Sequence, residues 1–223
     1  MEKVRVRYAP SPTGDPHIGN IRLAVFDWLF ARHHGGTFIT RLEDTDQNRL
    51  VEGSSLGLLQ AMQWLGMEAD EGLYIDGQGN IAERGEYGPY TQSQRLSIYQ
   101  SHVQELLDAG KAYRCFATPE ELEAMRTAQA AAHQPPRYDR RFRDLPRSES
   151  DAKAQAGERF VIRQKMPLTG EVLVSDIVRG TVKFQASELE DHVLLKSDGF
   201  PTYQLANVVD DHLMQISHVY RGE

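Results

Sequence analysis

Twice within its first 66 residues the chain passes from a strand pattern to a helix pattern, and that order leaves few folds open. "KVRVRYA" (3–9) alternates apolar and charged residues as a half-buried strand does. A loop with Pro10, Pro12 and Pro16 follows, then an apolar helical stretch from about Gly19 to His34, closed by Gly35-Gly36. "TFITRLED" (37–44) starts with β-branched and aromatic residues and predicts a second strand. "LVEGSSLGLLQAMQWLG" then sets Leu56, Leu59, Met62 and Trp64-Leu65 near helical spacing. Strands joined by crossover helices run parallel. The fold class expected is therefore α/β, a Rossmann-like parallel sheet with helices on both faces.

Further along, "QSQRLSIYQSHVQELLDAG" predicts an amphipathic helix that stops at Gly110. The texture then changes. In "TPEEL" (118–122), Thr118 is an N-cap, Pro119 the first helical residue and Glu121 the partner that completes a capping box. That helix is expected to run to about His133, where Pro135-Pro136 end it. From 158 the pattern shortens to strands: "RFVIRQK", "EVLVSDIV", "GTVKF" and "HVLLK". "TYQLANVVDDHL" returns to helix, and "ISHVYR" predicts one more strand. The expected organisation is a first α/β half at 1–110, an α+β insertion at 111–190, and a return to the α/β domain at 191–223.

The formal net charge of −7 argues at first against nucleic acid. Its distribution qualifies this. Residues 112–165 hold 11 Lys and Arg against 8 Asp and Glu, and "PRYDRRFRDLPR" (136–147) packs five arginines between aromatics. A local basic face on an acidic body suits RNA, because phosphate contacts act within about 10 Å. Arg–Asp pairing within a solvated loop is the plainer reading of the same residues. Cys115 is the single cysteine, which gives no disulfide framework and suits a reducing cytoplasm. No apolar run approaches about 18 residues, and "MEKVRVRYAP" carries no apolar signal core, so neither membrane span nor secretory signal is expected.

The proline loop has a chemical reading. In an open parallel sheet, ligands bind beyond the carboxyl ends of strands, where loops enter helices. A helix N-terminus offers unpaired N–H groups and a positive pole suited to phosphate. Gly19 admits a nucleotide close to the backbone, His17 can donate to a phosphate oxygen, and the prolines hold the loop rigid.

"RYAPSPTGDPHIG" (7–19), followed by "TRLEDTD" (40–46), "GPYTQSQRL" (88–96), "GKAYRCFATPEEL" (110–122) and "GFPTYQLANVVDDHLM" (199–214), resembles the glutamyl-tRNA synthetases. These belong to the class I aminoacyl-tRNA synthetases, and "HIGN" is a variant of their HIGH signature. The resemblance implies an ATP-dependent ligation of L-glutamate to tRNA(Glu) through glutamyl-adenylate, in a cytoplasmic enzyme that is monomeric at full length. It assigns His17 and Gly19 to catalysis, and Pro12, Thr13, His17, Gly19 and Asn20 to ATP. Arg7, Ala9, Ser11, Glu43, Tyr203, Asn207 and Arg221 would line the glutamate pocket. Free glutamate carries two carboxylates and one ammonium, which Arg7, Arg221 and Glu43 match in charge. The inserted domain would hold the tRNA acceptor end, with Arg137, Arg140, Arg141 and Arg143 on the RNA. ATP with Mg²⁺ enters as substrate.

Several features depart from that family pattern. A KMSKS-like lysine loop is expected after "HVYRGE", but the last lysine is Lys196, and "QKMPLTG" (164–170) only imitates it. The chain stops at Glu223, so the expectation is a truncated fragment that activates glutamate poorly alone. Some relatives hold zinc in the insertion. Here Ala117 and Phe142 stand where cysteine ligands would be, and one thiol does not make a four-ligand site, so no structural zinc is expected. Two alternatives stay open: a paralogue that glutamylates a modified tRNA base, and a non-catalytic RNA-binding module of the same fold.

Overall fold

A computed structural model describes residues 3–221, so the chain end at Glu223 lies outside the described residues. The chain divides into two compact units, one formed by Met1–Tyr99 with Leu205–Glu223 and the other by Gln100–Gln204.

The first unit is built on a four-stranded sheet, β1 (Arg5–Tyr8), β2 (Thr37–Thr40), β3 (Glu71–Ile75) and β4 (Ile81–Arg84), in that spatial order. β1, β2 and β3 run parallel, and β4 closes the edge antiparallel to β3. The crossovers are α1 (Ile18–His33) and α2 (Ser54–Trp64), α1 packing on β1 and β2 and α2 on β3. Val6, Phe38 and Ile39 are fully buried beneath them. Each such side chain contributes roughly 1.5–3 kcal/mol by leaving water. Gly72 lets β3 approach β2: it has φ +97°, and a Cβ there would collide with the Thr40 carbonyl. The parallel α/β architecture expected from the opening pattern is present.

Three details of this unit differ from the sequence reading. β2 ends at Thr40, four residues early, and "RLED" continues as a loop that bridges to Thr91 through Leu42. The reason is the charge on Arg41, Glu43 and Asp44, which are all buried and turn inward to partners instead of alternating across a sheet. Trp64, part of the apolar helical pattern, is 84% exposed at the end of α2, while Leu58 is buried in its stead. "ISHVYR" forms no strand. It is an irregular segment tied to the start of β1, with the Ser217 and His218 amides both donating to the Arg5 carbonyl.

The second unit holds a three-stranded antiparallel sheet of β5 (Ala112–Cys115), β6 (Val161–Gln164) and β9 (Val193–Leu195), and a hairpin of β7 (Glu171–Asp176) and β8 (Gly180–Gln185). All four strand patterns read after 158 are found. α4 (Pro119–Ala131) starts as expected, with the Thr118 hydroxyl accepting from the Glu121 amide and the Glu121 carboxylate returning to the Thr118 amide. α5 (Arg147–Gln155) was not legible, being polar nearly throughout. α3 (Leu96–Asp108) belongs to this unit from Gln100 on, and α6 (Tyr203–Leu213) belongs to the first unit from Leu205 on. Among the described residues, no helix is long and apolar enough to cross a membrane.

Candidate active site

The site grows from the carboxyl ends of β1 and β2. Arg7 is buried on β1, and its Nε donates to both carboxylate oxygens of Asp211 at 3.0 and 3.2 Å. Its Nη2 donates to Asn207 Oδ1 at 3.1 Å. Just past β2, Arg41 is fully buried and reaches Glu43 Oε1 at 3.0 Å, Asp211 Oδ1 at 2.8 Å and Asn207 Oδ1 at 3.4 Å. The structure thus gathers Arg7, Glu43 and Asn207, three residues assigned to glutamate, around two that sequence reasoning missed, Arg41 and Asp211.

Asp210, the other half of the acidic pair, points elsewhere on α6. Its carboxylate accepts from Gln92, Arg95 and Tyr99, all buried. A partial signal was available: adjacent residues on a helix point in different directions, and a carboxylate that is buried and stays ionised needs a cation or hydrogen-bond donors. Guanidinium groups take up both carboxylates.

Burial and charge compete throughout the cluster. For Glu43, desolvation raises the carboxyl pKa and the neighbouring guanidinium of Arg41 pulls it back, with a net upward shift. For Arg41, burial alone would lower the pKa, but Asp211, Glu43 and Asp210 outweigh it, and the net shift is upward. Asp27 on α1 is the outlier. It is 2% exposed, its Oδ1 has no hydrogen-bond partner, and burial pushes its pKa up to about 8, only partly opposed by Arg7.

The proline loop is pinned at several points. The Glu43 amide donates to the Pro10 carbonyl and the Val51 amide to the Pro12 carbonyl, while the Thr13 amide turns back to Ser11. Pro12 is buried, and Ser11 is exposed. His17 is the N-cap of α1: its Nδ1 accepts from the Gly19 amide at 3.1 Å, and its own amide donates to Asn20 Oδ1 at 3.1 Å. With Nδ1 accepting, the neutral ring carries its proton on Nε2, so the exposed edge of His17 is a donor. Gly19 has a reason beyond access for a ligand. A Cβ there would meet the His17 ring at 3.0 Å.

Ala9 is half-buried at the end of β1, and Arg221 is exposed. Tyr203 belongs to the second unit, where it opens α6 about half exposed.

The four arginines assigned to RNA are engaged within the second unit. Arg143 donates to both Asp191 oxygens at 2.8 Å and to the Met166 carbonyl. Arg140 donates to the Leu189 carbonyl, with its Nε 3.4 Å from Asp191. Arg137 donates to the Ser187 carbonyl, and Arg141 pairs with Asp139 at 2.7 Å. Arg137 and Arg141 remain exposed; Arg140 and Arg143 are half-buried. Cys115 is buried against the Tyr138 hydroxyl at 3.1 Å, with Ala117 and Phe142 packed beside it.

A parallel α/β sheet with charged groups beyond its strand ends, beside a loop that enters a helix at His17, is the ligand-binding arrangement of the doubly wound α/β class. The sequence fits one family within that class. Residues 3–223 match the catalytic domain of the class I tRNA synthetases for glutamate and glutamine (E and Q), and the chain belongs to that family. It is 51% identical over 220 residues to the glutamate–tRNA ligase of Clostridioides difficile, covering 99% of this chain and 45% of that protein. It is 50% identical over 223 residues to the glutamate–tRNA ligase of Alkaliphilus metalliredigens, again 45% of its length. A crystal structure of a glutamate tRNA ligase from Elizabethkingia meningosepticum in complex with its amino acid superposes with a TM-score of 0.88 at 43% identity. That superposition covers 98% of this chain and 43% of the other. The chain therefore spans a little under half the length of the curated relatives it matches.

Proposed function

We propose that this chain is the glutamate-activating part of a cytoplasmic glutamate–tRNA ligase. The observation that carries the reading is the grouping of buried Arg7 and Glu43 with the partly buried Asn207 at the ends of two parallel strands. Asp211 and Asn207 occupy the Nε–Nη2 edge of Arg7, so its Nη1 end is left to receive a substrate carboxylate. Glu43 uses Oε1 internally, and its Oε2 would accept from the substrate ammonium.

In the reaction, the α-carboxylate of glutamate attacks the α-phosphorus of ATP in line. The bond from that phosphorus to the bridging oxygen breaks, and pyrophosphate leaves with its Mg²⁺. A terminal ribose hydroxyl of tRNA(Glu) then attacks the acyl carbon, and AMP departs. The protein's work in such chemistry is positioning and charge stabilisation. His17 Nε2–H would donate to a phosphate oxygen of ATP as charge develops there, within the loop of Pro12, Thr13, Gly19 and Asn20. Ala9, Ser11, Tyr203 and Arg221 complete the glutamate set in this reading. The second unit takes the acceptor end of the tRNA, with the exposed Arg137 and Arg141 the phosphate contacts and Arg140 and Arg143 mainly supporting them.

Calorimetric titration with a non-hydrolysable glutamyl-adenylate analogue tests the reading, beside the glutaminyl analogue and an Arg7→Ala variant. Tighter binding of the glutamyl analogue that Arg7→Ala removes is the expected result. Equal affinity for both analogues would refute it.

A further inference from the structure

We propose that Arg41 is a positioning residue for amino-acid recognition, holding the Glu43 carboxylate to receive the substrate ammonium and fixing Asn207 and Asp211 behind Arg7. The proposal rests on the assignment of Glu43 to that ammonium.

The geometry is that of a hub. One fully buried guanidinium meets three carboxylates: Glu43 on the loop after β2, and Asp210 and Asp211 on α6. Its Nη2 is shared between Glu43 and Asn207, its Nη1 goes to Asp211, and its Nε stands 3.7 Å from Asp210 without a hydrogen-bond partner. A planar fork is needed to serve these acceptors at once, which a lysine ammonium cannot do in one position.

Two consequences reach the substrate groups. Asn207 Oδ1 accepts from both Arg7 and Arg41, so the amide is locked with its Nδ2 turned away from both guanidinium groups. Glu43 is faced by Arg41 beside it, Arg7 from β1 and Asp211 from α6. Burial disfavours its anion, Arg41 opposes that more than any other group does, and Asp211 works against it. Without Arg41, burial of the Glu43 carboxylate is less opposed and its anion is disfavoured further, so it pairs less well with an ammonium.

The test compares two adenylate analogues on the chain by calorimetry: the glutamyl compound, and a glutaryl compound that lacks the α-ammonium. The wild type is expected to favour the glutamyl analogue by about tenfold or more, as one hydrogen bond between charged groups allows. The charge-balanced variant Arg41→Gln/Asp211→Asn should reduce that ratio to about twofold at pH 7, with recovery as the pH is raised. A lysine at the hub keeps charge but not the fork, so Arg41→Lys should lower the ratio about threefold. A folded double variant that keeps the full ratio would overturn the proposal. Should that variant fail to fold, an unchanged ratio in Arg41→Lys overturns it equally. A wild-type chain that binds both analogues alike would instead remove the assignment of Glu43, and this proposal with it.

Discussion

Asp27 offers the sharpest test of the electrostatics inside the first unit. Its carboxyl is buried on α1, its Oδ1 has no partner, and its pKa rises from 3.8 to about 8. The group is thus neutral in the folded chain at pH 7 and ionised in the unfolded one. A folded pKa raised above the unfolded value means that stability is full below the unfolded pKa and falls as pH rises towards the folded one. Between pH 5.5 and 7.5 the folded Asp27 keeps its proton while the unfolded chain has lost it. Each pH unit in that window costs about 1.4 kcal/mol. Asp27→Asn has nearly the same shape and no proton to lose. Its advantage over the wild type should therefore grow by about 2.7 kcal/mol across those two pH units. Urea unfolding followed by circular dichroism at pH 5.5 and 7.5 measures this directly. An advantage of Asp27→Asn that is the same at both pH values would mean that Asp27 is ionised in the folded state, against this expectation.

Three further perturbations follow from the geometry. Gly19→Ala drives a methyl group against the His17 ring. Loss of the α1 cap should cost about 1 kcal/mol in urea unfolding, and calorimetry should show weaker binding of adenylate analogues. Thr118→Ala removes the hydroxyl that caps α4 and should lower the stability of the second unit by about 1 kcal/mol, read by hydrogen exchange of the α4 amides. Asp191 is 1% exposed and accepts from Arg143, Tyr113 and the Met166 amide. Removing it strands a partly buried guanidinium, so Asp191→Ala should cost about 3–5 kcal/mol, with loss of the second unit's cooperative unfolding transition.

What the sequence made legible was the part governed by local rules. The two early crossovers, the helix expected from about Gly19 to His34 and the Thr118 capping box depend on periodicity, on caps, and on residues a few positions apart. For the proposed site, local sequence carried the residue types and not their connections. Arg7 and Glu43 could be assigned through the family resemblance, with charges that match a zwitterion bearing two carboxylates. Arg41 could not, since nothing local shows that a charged residue after a strand is fully buried against a helix 170 positions away. The misjudged ends share that cause. β2 stops early because Arg41 and Glu43 find partners inward, and "ISHVYR" gives no strand because its amides are satisfied at Arg5. The arginines of "PRYDRRFR" show the limit of composition, since Arg143 and Arg140 spend their donors on Asp191 and carbonyl oxygens within their own unit.

In the proposed function, Arg7, Glu43 and Asn207 recognise glutamate as its adenylate. A crystal structure of this chain with the non-hydrolysable glutamyl-adenylate analogue tests it most directly. The expected result is a ligand carboxylate within about 3.2 Å of Arg7 Nη1 and the ligand ammonium at the same range from Glu43. A ligand bound elsewhere, or bound with its ammonium turned away from Glu43, would contradict it.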